Sequence, residues 1–488
     1  MKRAITLILL AAICTGTIAC GEASTPAADD TTASEADTTA AETSIYDVIP
    51  QKDFGGEEFK IYSYASSQSY NDAEYLTAEQ TGEVIDDAVY KRNVLTEERL
   101  NIKLSYTAVD SEYDARDKYN NSMLAGDAMC DIFVHKGGYL SVFMAAGTIL
   151  PWDDVPGIDL DQPWYPKFAN DVITLGNRNY GFLSDAWATS ITMAWTVAFN
   201  KRIADEWKIE NPYDIVRAGD WTVDKMISMT KDIWKDVNGD NQADAGDVYG
   251  FYTDKWATLD AFMVSHGIVS IGKDKDDFPE VLFYSDRLVE SFEKVYELYW
   301  ENPGTYVDTT TPYVYQETGF AAGLGLFSPM MINDLIAPKM RAMEDDYGVL
   351  PYPKMDENQE DYRTYLLTRT GVFMLPVTIA DDKLDKLGYI VETLSAYSHQ
   401  YLRPAIYDVS LGGKAVRDEE SLEMLDFIMA RRGFDFSQIT ENENKYPFAA
   451  YKTYRNLIGA KNNGITTYYE SNKTAAEENL QAFREYVE

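Results

Sequence analysis

Apolar and polar residues alternate over Phe59-Lys60-Ile61-Tyr62-Ser63-Tyr64, the two-residue period of a half-buried strand. Gly82 to Leu100 then carries Val84, Ile85, Ala88, Val89 and Leu95 at helical spacing, and Asn101-Ile102-Lys103-Leu104-Ser105-Tyr106 alternates again. This strand–helix–strand unit is followed by a helical stretch near Tyr113–Leu124 and a short buried strand at Asp131-Ile132-Phe133-Val134. Further on the pattern predicts helices at Thr222–Lys235, Leu259–His266 and Asp286–Trp300. It predicts strands at Phe320 to Phe327, Gly348–Pro353 and Gly371–Leu375, with helices dominating after Asp381. The fold class is therefore α/β with open sheets, in which ligands bind outside the carboxyl ends of the strands, here at Tyr64-Ala65-Ser66-Ser67 and His135-Lys136-Gly137-Gly138. No self-similar repeat of roughly 20–50 residues appears, which excludes solenoids and propellers.

The amino-terminal texture is different. Residues 1–19 place Lys2 and Arg3 before an apolar run from Ala4 to Ile13 and end in small residues, the layout of a secretory leader and too short to span a bilayer. Ile18-Ala19-Cys20-Gly21 resembles the lipobox of bacterial lipoproteins, which implies lipidation of Cys20, although Thr17 stands where that box usually has Leu. Gly21 to Ser44 holds no aromatic residue, no Leu, Ile or Val and no cation, so residues 20–45 should form an acidic tether that reaches roughly 25–30 Å. After cleavage and anchoring, Cys130 would be the one remaining thiol, leaving no disulfide.

Charge narrows the function. Against 43 Lys plus Arg stand 80 Asp plus Glu, a net charge of −37 that repels phosphate backbones, so nucleic acid is not the expected partner. The 35 Tyr outnumber the 20 Phe, a bias suited to half-wet surfaces where a ring packs and a hydroxyl bonds. The sharpest local motif runs from Asp236 to Asp247. Asp236, Asn238, Asp240, Asp244 and Asp247 fall at loop positions 1, 3, 5, 9 and 12, with the Gln242 carbonyl at position 7, the oxygen pattern of an EF-hand-type calcium loop. Asn241 replaces the usual Gly at position 6 and tolerates the left-handed turn required there. A structural Ca²⁺ is the expectation; a solvated acidic link between helix and strand is the alternative. His135, His266 and His399 form no His-x-x-x-His pair, and neither a phosphate loop nor a Gly-x-Ser-x-Gly elbow occurs. Trp221, beside the helix cap Thr222, reads as a packing anchor.

Several stretches in order carry a resemblance: Asp131-Ile132; Asn179-Tyr180-Gly181-Phe182 leading into Val197-Ala198-Phe199-Asn200-Lys201; Gly219 to Met226; Val248-Tyr249-Gly250-Phe251; and Gly348 to Lys354. Together they make the chain similar to extracellular solute-binding proteins of ABC transporters, in the carbohydrate-binding family that includes maltose-binding protein. The resemblance implies a two-lobed fold of periplasmic-binding-protein type II with discontinuous lobes: residues 46–180 plus 315–375 in lobe one and 181–314 plus 376–488 in lobe two. The chain would then cross near Gly181, return near Tyr315 and cross again near Leu375. The residues expected at strand ends and crossings, and so in the ligand cleft, are Tyr64, Lys136, Asp185, Trp187, Trp256, Phe327, Tyr407 and Asp408. Flat rings and carboxylates suit sugars, whose apolar faces are rimmed by hydroxyls. The implied function is capture of a carbohydrate for delivery to an ABC permease by a monomer anchored outside the cytoplasmic membrane, with no enzymatic step. An exported glycoside hydrolase and a glycan-binding adhesin are the alternatives; among 80 carboxylates none stands out as a catalytic pair.

Overall fold

The computed structural model describes residues 48–65, 79–282, 284–310, 319–412, 418–440 and 452–487. Cys20, the leader and the acidic tether lie outside the described residues. The first half opens with strand β1 (Glu57–Tyr64), helix α1 (Val84–Leu100), β2 (Ile102–Val109), α2 (Glu112–Ala125), β3 (Ile132–Lys136) and β4 (Ile149–Leu150). β1 pairs in parallel with β2 and β3, as expected of strands joined by helices. All five residues of β3 are buried, which is why its apolar run does not alternate.

A second sheet begins at β5 (Trp195–Asn200) and continues with β6 (Val248–Asp254), helix α3 (Ala257–Ser265), β7 (Thr305–Asp308), β8 (Gly325–Met331) and β9 (Tyr347–Leu350). Its order is β7-β6-β8-β5-β9, with Trp234–Lys235 added beside β6. The chain then returns as β10 (Gly371–Pro376), which inserts between β3 and β4 of the first sheet and runs antiparallel to both. Helix α4 (Asp381–Tyr397), a π-helical turn (Ser398–Leu402) and α5 (Arg403–Ser410) follow and pack on α1, whereas α6 (Glu419–Met429) packs on β9.

Among the described residues the chain thus changes lobe at 182–195, at 366–371, and between α5 and α6. This corrects two expected boundaries. Residues 325–350 belong to the second lobe because β8 and β9 both pair with β5. The stretch after Leu375 stays with the first lobe, because Leu387, Ile390, Val391 and Leu394 of α4 share one apolar cluster with Phe59, Ile61, Ile132 and Val134. Alternation marks a strand but carries no label for its partner.

Local expectations fare unevenly. The helix expected over Thr222–Lys235 ends at Thr230, capped by the Thr222 hydroxyl, and Trp221 is buried with its indole donating to the Pro351 carbonyl at 2.9 Å. The strand expected at Phe320 starts only at Gly325, after a 3₁₀ turn. In α1 half of the buried face is polar, with Arg92, Asn93 and Thr96 beside Ala88, Val89 and Leu100, while Val84 is exposed. Among the described residues no helix is long and apolar enough to cross a membrane.

Candidate functional site

Register fixes where the lobes face each other. Gly371, the end of the second passage, lies opposite Lys136 at the carboxyl end of β3. In the other sheet Trp195, the end of the first passage, lies opposite Met331 at the carboxyl end of β8, to which β6 is parallel. The passages therefore meet both sheets at strand carboxyl ends, where an open α/β sheet binds its ligands.

The first wall gathers Tyr64, Lys136 and a group of aromatic and charged neighbours. Tyr64 is buried with its ring 4.9 Å from that of His135. Burial draws the His135 pKa down to about 4, so the ring is neutral at pH 7. Lys136, also buried, has its Nζ 3.4 Å from a Glu112 carboxylate oxygen and 5.3 Å from the Tyr139 ring centroid. Tyr113, 56% exposed at the start of α2, sits edge-on to Tyr139 with Arg116 5.7 Å from its own ring. Tyr113 was not expected from the sequence, where it counted only as a helix start.

The second wall is the more telling one. Asp254 ends β6, Asp308 ends β7, and the two are direct neighbours across the parallel pair. Both are buried, and each receives local donors: Trp256 N–H at 2.9 Å and the Thr258 hydroxyl at 3.1 Å on Asp254, and Thr310 N–H and hydroxyl at 2.7 Å on Asp308. Trp256, half-buried at the start of α3, stands beside them with Lys255 Nζ 5.3 Å from its ring. Neither aspartate was singled out from the sequence. Strand-final carboxylates whose own loops cap them would have been the signal, but their adjacency requires the pairing of β6 with β7.

On the first passage lies Asp185, with no exposed surface. Its Oδ1 receives Arg432 Nη2 at 2.9 Å; its Oδ2 lies 3.1 Å from His399 Nδ1 and 3.5 Å from Arg403 Nη1. Burial raises its pKa, but Arg432, His399 and Arg403 outweigh that and hold it down at about 2. The expectation that Asp185 accepts sugar hydroxyls is corrected, because its oxygens are committed to the two guanidiniums and the imidazole. Trp187 is corrected likewise: it is 3% exposed, meets Phe373 edge-on at 6.1 Å and presses on Gly371, where an added Cβ would fall 2.4 Å from its ring. A ring so enclosed offers no stacking face.

Three other expected residues also sit away from the walls. Phe327 is buried inside β8 against Trp221 at 5.2 Å. Tyr407 is buried in α5, receiving Arg403 Nε at 2.7 Å and donating to Asp426 at 3.2 Å, and Asp408 is half-buried on the same helix. The structure thus brings together Tyr64 with Lys136 on one wall, sets Trp256 on the other, and assigns Asp185, Trp187 and Tyr407 to the passages.

The loop from Asp236 to Asp247 joins Trp234–Lys235 to the amino end of β6, the opposite end from Asp254. Asn241 adopts the left-handed conformation (φ 59°) expected at position 6. Asp236 accepts from the Gly239 and Asn241 amides at 2.6 and 2.9 Å, Asp240 accepts from Gln242 N at 2.8 Å, and Asp244 accepts from Gly246 N at 2.7 Å. Asn238 Nδ2 donates to Asp244 at 3.3 Å, and buried Asp247 receives Val237 N and the Trp234 indole. Among the described residues no three His, Cys, Asp or Glu side chains are grouped so as to hold a metal ion.

No family model matches the chain, and no curated protein matches it. Solved structures do. The chain is similar to the cyclic alpha-maltosyl-1,6-maltose binding protein of Arthrobacter globiformis, with a TM-score of 0.58 and 13% identity over 88% of this chain and 100% of that one. It is similar to UspC of M. tuberculosis (TM-score 0.55, 13% identity, 86% and 100% covered). It also resembles an ABC substrate-binding protein of Listeria monocytogenes in complex with cycloalternan (TM-score 0.51, 13% identity, 88% and 98% covered). At these identities the likeness is one of fold: the chain has the two-lobed, periplasmic-binding-protein type II architecture.

Proposed function

We propose that this chain is a solute-binding protein that captures a carbohydrate between its lobes and delivers it to an ABC permease, without covalent chemistry. The second wall supports this reading. The half-buried Trp256, at the strand ends where Asp254 and Asp308 meet, offers a flat apolar face backed by carboxylates, a setting that suits a sugar ring. Lys136 and Tyr113 on the first wall would complete the grip when the lobes close. In this reading the chain acts as a monomer, held at the extracellular face of the membrane by lipidated Cys20 and its acidic tether.

The solved relatives named for cyclic alpha-maltosyl-1,6-maltose and cycloalternan make malto-oligosaccharides and their cyclic forms the first panel for titration calorimetry. Trp256→Ala removes the stacking face, on the order of 1–3 kcal/mol, and should weaken binding roughly ten- to a hundredfold. Wild-type affinity in a folded Trp256→Ala chain would remove the second wall from the site. Shortened glycans after incubation would favour the hydrolase instead. Cell fractionation of a Cys20→Ser chain tests the anchor, which retention in the membrane fraction would refute.

A further inference from the structure

Elements next to each passage between the lobes reach the Asp185 carboxylate. Asp185 itself lies on the first passage. His399 and Arg403 come from the π-helical turn and α5, the lobe-one elements that lead into the third. Arg432, 1% exposed, belongs to a two-residue strand that pairs with Thr364–Tyr365, where the second passage starts. Arg432 also reaches past Asp185 to donate to the Ser190 carbonyl at 2.5 Å and hydroxyl at 3.1 Å, so one guanidinium spans the first passage.

The lobe-one side holds the same segment with a second buried arginine. Arg92 of α1 donates to the Ala186 carbonyl at 2.5 Å and to the Ser398 hydroxyl at 3.2 Å, joining the first passage to the π-helical turn. Ser184 and Ser395 bond at 2.5 Å, and Thr189 accepts from Gly371 N–H at 3.0 Å, tying the first passage to α4 and to the second passage. Four residues apart, His399 and Arg403 share one helical face and meet the same carboxylate oxygen.

We infer that Asp185 is a charged pivot pin that makes the three interlobe passages move as one cooperative unit. A carboxylate withdrawn from water among two guanidiniums and an imidazole is strongly held as a set and costly to break one member at a time. Backbone held by such a set opens as a block, because freeing any one passage exposes the shared charge. The pin therefore sets how readily the lobes change their relative angle, whatever ligand the cleft takes.

Hydrogen exchange on the full chain, read by mass spectrometry, tests this. The strands β1 and β6 serve as internal references for global opening. In Asp185→Asn, the amides of 182–195, 366–371 and 398–412 should all exchange at least tenfold faster relative to those strands. His399→Gln, which removes a partner that is 29% exposed, should speed the same three segments by a smaller common factor and serves if Asp185→Asn does not fold. Acceleration confined to the segment carrying the substitution, or equal to that of β1 and β6, would overturn the pin.

Discussion

Asp185 and the aspartates of loop 236–247 carry the same side chain into opposite settings. Asp185 has no contact with solvent and is satisfied from afar: the Arg432 and Arg403 guanidiniums and the His399 ring come from segments more than 200 residues away. Asp236, Asp240 and Asp244 sit at a half-exposed or exposed edge and are satisfied by amides two to five residues away in the same loop. The loop pattern is local and its geometry follows from neighbours, as Asx turns do. The pin is assembled only by the whole fold. A carboxylate that a sequence marks as interesting is therefore more readily understood when its partners are near in the chain.

The largest effect that separates the two settings should come from removing charge. Asp185→Ala leaves two buried guanidiniums facing each other and should cost about 3–5 kcal/mol in denaturant unfolding. If Asp185→Ala costs no more than Asp240→Ala, the contrast collapses.

A pH series sharpens it next, because a second buried carboxylate beside the passages has the opposite sign. Glu392 of α4 receives the Tyr165 hydroxyl at 2.7 Å and Asp159 N–H at 3.3 Å but no cation among the described residues, and burial lifts its pKa to about 7 against these bonds. A carboxyl raised in the folded state favours folding at low pH, so its contribution declines as pH rises from the ordinary 4.5 to about 7. The Asp185 pKa is depressed, so its contribution is present above the ordinary 3.8 and lost as pH falls through about 2. Unfolding free energy should thus fall by about 2–3 kcal/mol between pH 5 and 8 in wild type, and Glu392→Gln should flatten that slope. An unchanged slope in Glu392→Gln would place the titration elsewhere.

The smallest effect belongs to the loop. We propose that calcium, at affinities of roughly 10⁻⁴–10⁻³ M, regathers Asp236, Asn238, Asp240, Asp244 and Asp247, with the Gln242 carbonyl, around one ion. Millimolar calcium should then raise unfolding free energy by about 1–2 kcal/mol over a chelator control, and Asp240→Ala should abolish the gain. Identical melting curves with calcium and chelator would leave the loop as an amide-satisfied link.

Much of the scaffold was legible in the chain. Alternation located β1 and β2, helical spacing located α1, and a continuous apolar run located β3. Thr222 was read correctly as a cap because capping depends on the next three residues alone. Trp256 was legible as a candidate because it follows a strand end. Asp254 and Asp308 were not, since 54 residues separate two side chains that only the β6–β7 pairing makes neighbours. Asp185 and Trp187 were noticed for their position, yet their role was misread. Position along the chain says where a passage runs, while burial and the arrival of Arg432, Arg403 and Phe373 decide that they hold it.

What the sequence alone determined is what local physics controls: periodicity sets element type and caps set ends. Tertiary structure alone decided which sheet received β8, β9 and β10, which face of α1 was buried, and which carboxylates faced a cleft or a cation. The reason is that strand pairing and charge desolvation are collective. A strand's edge accepts any partner of suitable register, and a buried charge is tolerated only where distant segments bring its counterions.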